Sequence, residues 1–299
     1  MGKDSIQKAA LVADLPGAAG VVAHGTHSAD TGRYYEDSKR WLTAEVNAAV
    51  EGILAAGVSE VLVIDAHEPG GIHFESLHPA ARLLHGRPMV RRQMLDPLWD
   101  CDIVALIGQH ARAGTSDGNQ NQTWDIGAID SIAFNGKPIG ESTIIALWAG
   151  SGNTPVIFLS GDEAACREIQ KEIPRITTAA VKRGVSAGAE ITLSAHASRA
   201  LINRTIQEAI HAHRQSPVPP LQPGGPYRLE IRWKSTQDAD LQEHKNGCER
   251  IDDQTVCFRS DNLLDVLNFQ HRPALKVPLP ASMASTPVHL SRADIPVPV

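Results

Sequence analysis

Four residues of metal-ligand type recur at comparable places along this 299-residue chain: Asp14, His67, His110 and Glu141. Asp14 follows the apolar run A-A-L-V-A and precedes Pro16 and Gly17, the pattern of a strand that ends in a carboxylate at a loop edge. His67, with Asp65 beside it, ends the run E-V-L-V-I-D-A-H, and His110 ends C-D-I-V-A-L-I-G-Q-H. Glu141 opens the helical string E-S-T-I-I-A-L-W, where the helix dipole favours an anion. Imidazole nitrogen and carboxylate oxygen together suit Zn and related divalent ions. Taken singly, each has an ordinary role: loop-capping hydrogen bonds for the histidines, an N-cap for Asp14, a first-turn charge for Glu141. Repetition at successive strand ends favours metal chemistry over four separate caps. His24 and His27 lie in the loop string H-G-T-H-S-A-D just after Asp14 and add two more imidazoles to the same neighbourhood.

The elements that must position these residues alternate strand and helix. Trp41, Val46, Ala49, Val50, Ile53 and Leu54 recur at helical spacing and stop at Gly57. The apolar, β-branched runs before Asp65 and His110, and P-V-I-F-L-S-G-D further on, have the texture of strands buried on both faces of a parallel sheet. Residues 1–190 are therefore expected to form an α/β domain, a mostly parallel sheet flanked by helices. In such sheets ligands bind outside the carboxyl ends of the strands, where Asp14, Asp65, His67 and His110 fall. Beyond that, a helix over S-R-A-L-I-N-R-T-I-Q-E-A-I-H-A-H leads to the proline-rich S-P-V-P-P-L-Q-P-G-G-P. Y-R-L-E-I-R-W and T-V-C-F-R-S have strand character, and D-N-L-L-D-V-L-N-F a short helix. These predict a smaller α+β subdomain over 191–270, and the proline-punctuated 271–299 predicts an extended tail.

Bulk properties narrow the function classes. A hydrophobic content of 42% fits a substantial core, and a formal charge of −6 without a dense Lys/Arg run gives no footprint for nucleic acid or an anionic membrane. No apolar stretch reaches membrane-spanning length, and M-G-K-D-S-I-Q-K lacks the apolar segment of a signal peptide, which predicts a cytoplasmic protein acting on a small molecule. Cys101, Cys166, Cys248 and Cys257 are widely spaced and suggest neither a disulfide framework nor a thiolate zinc site.

The order of V-I-D-A-H, G-Q-H-A-R-A-G-T, K-P-I-G-E and P-R-I-T-T-A-A-V-K-R-G-V-S resembles the M55 family of metallopeptidases. R-Y-Y-E-D-S-K-R-W-L-T-A-E-V-N, S-L-H-P-A-A-R-L-L-H-G and S-G-D-E-A-A-C-R-E fit the same pattern, and the similarity spans about residues 9 to 270. The resemblance implies a metal-dependent hydrolase with a two-zinc centre and a ring-like homo-oligomer, in which Asp14, His67, His110 and Glu141 occupy ligand positions. A small-molecule amide, lactam or short peptide is the expected substrate, its C–N bond cleaved by a metal-activated water, with Zn, or alternatively Mn, as the ion. Arg112 and Lys182 are candidates to hold a substrate carboxylate or developing negative charge, or to be structural ion-pair partners.

Two positions depart from the family pattern. The family's opening Asp-x-Glu-Gly is D-L-P-G here, which puts Pro16 where a ligating glutamate stands. The family's catalytic histidine downstream of H-A-R-A has Asn121 nearest its place, and an amide is no general base at neutral pH. His24 and His27 are the candidates for the missing parts, helped by a likeness of H-G-T-H-S-A-D, shifted by one residue, to the H-x-G-T-H-x-D metal motif of cyclase-like hydrolases. Three outcomes stay open: a C–N hydrolase with a rebuilt site, a D-aminopeptidase of the family type, or a binding or scaffold homologue without activity.

Overall fold

The computed structural model describes residues 6–87, 89–243 and 247–269. Residues Met1–Phe269 make one compact unit. The tail expected over 271–299 lies outside the described residues.

Seven strands form the principal sheet: β1 (Lys8–Ala13), β2 (Glu60–Asp65), β3 (Ala81–Leu84), β4 (Ile103–Gln109), then, after two strands of the second sheet, β7 (Val156–Asp162), β8 (Thr177–Ser186) and β9 (Ala189–Thr192). Their spatial order is β3-β2-β1-β4-β7-β8-β9. Every pairing is parallel except the hairpin of β8 with β9. The central strands β4 and β7 are buried along their whole length, as their unbroken apolar texture requires. Helix α1 (Tyr35–Ala55) buries Leu42, Val46, Ala49, Val50 and Ile53. It stops just short of Gly57, whose φ of 82° turns the chain out of the helix.

The second sheet is antiparallel: β5 (Ile129–Phe134) and β6 (Lys137–Pro138) join β10 (Tyr227–Trp233), β11 (Cys248–Arg250) and β12 (Thr255–Ser260) in the order β11-β12-β10-β5-β6. The expected pairing of Y-R-L-E-I-R-W with T-V-C-F-R-S is present as β10–β12. A chain boundary at 190 does not separate the two sheets, because β5 and β6 come from the first half of the sequence. Ile129 and Ile132 need the apolar face that Ile231 and Trp233 provide. Five further helices follow α1 in chain order before the last: α2 (Arg91–Leu95), α3 (Glu141–Ser151), α4 (Glu163–Glu172), α5 (Ala195–Gln215) and α6 (Thr236–Glu243), with α7 (Leu263–Leu267) closing the described chain. Helix α5 packs on α1 so closely that a Cβ on Gly52 would lie 2.6 Å from the Asn203 carbonyl oxygen.

Candidate metal centre

Parallel pairing of β1 with β2 and β4 brings their carboxyl ends level, and Asp14, His67 and His110 leave the sheet side by side. The contact between β1 and β4 is backbone to backbone. Gly108 has a φ of 71°, and a Cβ there would lie 2.0 Å from the carbonyl oxygen of Asp14. No other residue type fits both that conformation and that space. Glu141 reaches the same point from the first turn of α3, and Trp124 fixes it by donating its backbone N–H to Glu141 Oε1 at 2.7 Å.

His110 stands at the middle of the cluster, with Nε2 at 3.1 Å from Asp14 Oδ2 and 3.2 Å from Glu141 Oε1. One donor atom from each of Asp14, His110 and Glu141 lies within 4.8 Å of the others. His67 is one step removed: Nδ1 lies 3.0 Å from Asp14 Oδ1, and Nε2 donates to the Ser28 carbonyl at 2.8 Å. Of the four residues expected to ligate, three therefore converge and the fourth grips the outer oxygen of Asp14. Leu15 N–H donates to that same oxygen at 2.7 Å.

These contacts fix protonation. A carboxylate only accepts, so His67 must donate from both nitrogens, and so must His110, whose Nδ1 donates to the Ala111 carbonyl at 2.9 Å. Burial works against the charged imidazoles, yet Asp14 outweighs it at His67, and Glu141 together with Asp14 outweighs it at His110, so both are raised, His110 well above its ordinary value. Burial likewise works against Asp14 ionisation, but hydrogen bonds from His110 and His67 hold its carboxyl well below the usual range. Two imidazolium charges thus balance two carboxylates where a divalent cation would give the same neutrality. With Nδ1 anchored on a carbonyl, His110 Nε2 is the nitrogen left for a metal, a common arrangement around ligating histidines. An N/O donor set this close and this buried fits Zn, and Mn as well.

The loop between β1 and α1 folds over this cluster through a π-helical turn at His24–Ser28. Its hydrogen bonds run in one direction. Gln120 Nε2 donates to the Val21 carbonyl at 2.7 Å, which turns Oε1 toward the Ser28 hydroxyl, and that hydroxyl donates to it at 2.7 Å. Ser28 Oγ then accepts from His24 Nδ1 at 3.2 Å, leaving Nε2 of His24 as the unprotonated nitrogen. Partial burial, with the positive charge of His67 next in weight, keeps His24 below its ordinary pKa. His27 belongs elsewhere: its ring packs 5.1 Å from Tyr34 and 6.2 Å from Trp41, and Thr26 Oγ1 engages Nδ1 at 2.7 Å.

The remaining sequence candidates have structural partners. Asn121 accepts from Gly114 N–H at 3.0 Å and donates to the Gly118 carbonyl at 2.9 Å, so both ends of its amide brace the 114–121 loop. Arg112 pairs with Glu168, its backbone N–H donating to Oε2 at 3.0 Å. Lys182 is enclosed, donating to the Pro16 carbonyl at 2.6 Å, the Val21 carbonyl at 2.7 Å and Asn119 Oδ1 at 2.9 Å, with Glu190 Oε2 at 3.0 Å. Three ammonium hydrogens facing four oxygens leave nothing for a substrate. Pro16, at the departed ligand position, thus faces an ammonium through its main chain. Asp117, an exposed acid of the same 114–121 loop and not one of those candidates, is held by Arg167.

Sequence patterns do not single out Ser28, Asn119, Gln120 or Arg91. Gln120, at a φ of 47°, and Asn119 are buried polar residues in an irregular loop. Arg91 lies between two rings, with its guanidinium carbon 4.4 Å from the Trp124 centroid and 4.2 Å from that of Phe269.

Comparison with known proteins agrees with this geometry. The profile of the M55 peptidase family, described as D-aminopeptidase, matches residues 8–271. A D-aminopeptidase of Bacillus subtilis (strain 168) is 33% identical over 239 residues, 78% of this chain and 84% of that protein. Among solved structures, the Zn-dependent D-aminopeptidase DppA from Bacillus subtilis, a self-compartmentalizing protease, superposes with a TM-score of 0.81 at 28% identity, over 87% of this chain and 94% of that one. A parallel sheet that delivers Asp14 and His110 to Glu141, matched in profile, sequence and structure over most of its length, makes this chain a member of the M55 family of metal-dependent hydrolases.

Proposed function

We propose that the chain is a zinc-dependent hydrolase that cleaves the C–N bond of a small amide or short peptide, the amide bond after a D-amino acid being the first candidate. The convergence of Asp14, His110 and Glu141 donor atoms within 4.8 Å at the carboxyl edge of the sheet carries this proposal. Those three residues would hold the ion. His67 either keeps Asp14 in place through Oδ1 or adds a fourth donor. A bound divalent ion supplies polarisation of the substrate carbonyl and a lowered pKa for water.

His24 is the group we assign to proton transfer in place of the family's histidine. Its Nδ1–H is held by Ser28, its Nε2 carries the lone pair, and its depressed pKa keeps that nitrogen available at neutral pH. Asn121 keeps the loop shape and takes no proton. The loop bonds from Gln120 and Lys182 hold the segment that carries His24 over the cluster.

A ring-like homo-oligomer belongs to the same proposal. The Bacillus structure is described as self-compartmentalizing. Here the β8–β9 hairpin at the sheet edge leaves Val185, Ile191 and Leu193 exposed, apolar side chains on a strand edge that favours pairing with a further chain. No helix among the described residues is long and apolar enough to cross a membrane. Cys101, Cys166 and Cys257 are buried thiols outside any disulfide, which favours the reducing cytoplasm.

The test is zinc analysis of wild type and His110→Ala beside hydrolysis of D-alanyl dipeptides, D-amino-acid amides and lactams. Wild type should retain zinc and cleave at least one class, and His110→Ala should lose both properties while keeping its fold by circular dichroism. Zinc-loaded wild type that cleaves none of the three would overturn the proposal.

A further inference from the structure

The donor geometry supplies one ion with ligands and leaves a second without them. Two catalytic ions about 3.5–4 Å apart act as a clamp on one substrate, and each needs donors of its own. Asp14 is the carboxylate between the two histidines, with His110 Nε2 on Oδ2 and His67 Nδ1 on Oδ1. On the Oδ2 side, Glu141 Oε1 stands 3.2 Å from His110 Nε2 and completes a group of three. A catalytic zinc takes three protein donors and a water, so this side is complete. Among the described residues it is the one group of three His, Cys, Asp or Glu donors close enough to hold an ion.

The Oδ1 side has no such set. His67 is its imidazole, and Nε2 is committed to the Ser28 carbonyl at 2.8 Å, which leaves Nδ1 toward Asp14. Leu15 N–H meets the same oxygen at 2.7 Å, so both lone pairs of Oδ1 already face donors. An ion there would have to expel one of them and would gain only His67 and Asp14. Position 16, where the family pattern has a ligating glutamate, is proline, and its carbonyl accepts from the Lys182 ammonium at 2.6 Å. Asp65, two residues before His67, spends both carboxylate oxygens on the N–H groups of Gly71 and Ile72.

We infer that this centre takes a single zinc ion, held by Asp14 Oδ2, His110 and Glu141, and that His67 is a positioning residue that grips Asp14 from Oδ1. This rests on the hydrolase proposed above and departs from the two-zinc centre that the sequence resemblance implies. Ligating carboxylates are ordinarily held in this way, by a hydrogen bond from outside the coordination shell.

Elemental analysis of the full chain, loaded with zinc and freed of excess, should count one ion per chain. X-ray absorption at the zinc edge should fit one imidazole per ion, with no zinc neighbour at about 3.5–4 Å. Two substitutions, compared by competition with a chelator, then separate positioning from ligation. His67→Asn sets an amide N–H where Nδ1 stands and should keep most of the affinity, while His67→Ala should lose about 10–100-fold, both at one zinc per chain. A ligating His67 would make the two equally damaging, because an amide does not replace an imidazole on zinc. A second ion that is present in wild type and lost in His67→Ala, a zinc–zinc vector, or equal losses in the two variants would each overturn the inference. The wild-type absorption spectrum decides it even if a variant misfolds. Hydrolysis measured on the same samples separates the two proposals. Two ions with hydrolysis leave the enzyme standing and remove the one-ion centre, while one ion on these ligands without hydrolysis does the reverse.

Discussion

Two buried polar clusters share the loop that begins at Asp14, and they are built from the same kinds of residue to opposite ends. Around Lys182, an ammonium and its oxygens from Pro16, Val21, Asn119 and Glu190 satisfy one another. Around His110, two carboxylates face two imidazoles whose protons a metal can replace. The first is a strut and the second is a site. What distinguishes them is neither burial nor charge but whether the donors are permanently attached: a lysine proton at neutral pH stays, and an imidazole proton leaves when a stronger Lewis acid arrives.

The largest effect that tests this contrast is Lys182→Met. It strips the strut and leaves the Glu190 carboxylate buried, which should cost about 3–5 kcal/mol, read as a loss of denaturant midpoint. Stability unchanged within error would mean that the cluster is not a strut. Next in size is the pH dependence of zinc binding. His110 is raised, so at neutral pH its Nε2 carries a proton that zinc must expel. Apparent affinity should rise with pH, about tenfold per unit for each proton released, and calorimetry in buffers of different ionisation enthalpy counts those protons. Zinc uptake without proton release would place the ion elsewhere.

The smallest effect concerns Glu45, which accepts the Ala19 N–H behind the same loop. Burial pushes its carboxyl up to about 7, against help from Ser198. An acid raised on folding holds its proton in the native state while the unfolded chain has lost it. Its contribution therefore falls as pH rises from the ordinary carboxyl range to about 7. Glu45→Gln, which mimics the protonated form, should raise Tm above about pH 7 relative to wild type and change it little near about pH 4. A uniform shift across that range would show that Glu45 does not titrate with folding.

The site's outline is legible in the sequence because the strands that carry it are unbroken apolar runs. Asp14, His67 and His110 stand out as polar residues that close such runs, and parallel pairing guarantees that they emerge on one side. The division of labour among them is not legible. His67 and His110 look equivalent in sequence, and the Ser28 carbonyl that occupies one nitrogen of His67 comes from an irregular turn with no periodicity. Lys182 reads as a candidate for substrate because its four oxygen partners come from separate segments. Arg91 sits at the start of a five-residue helix whose partners, Trp124 and Phe269, lie far along the chain. The short edge strand β3, half-buried throughout, lacks the alternation that marks a strand, and β5 and β6 join a sheet whose other strands follow much later.

The close approach at Gly108 has an engineering consequence. Since β1 and β4 meet through main-chain atoms there, the spacing of Asp14 and His110 is inherited from the sheet and is indifferent to the side chains around it. Redesign of the loops over 16–36 and 112–126 can then leave that one gauge untouched, provided it keeps the Trp124 N–H that holds Glu141 and the Ser28 carbonyl that holds His67.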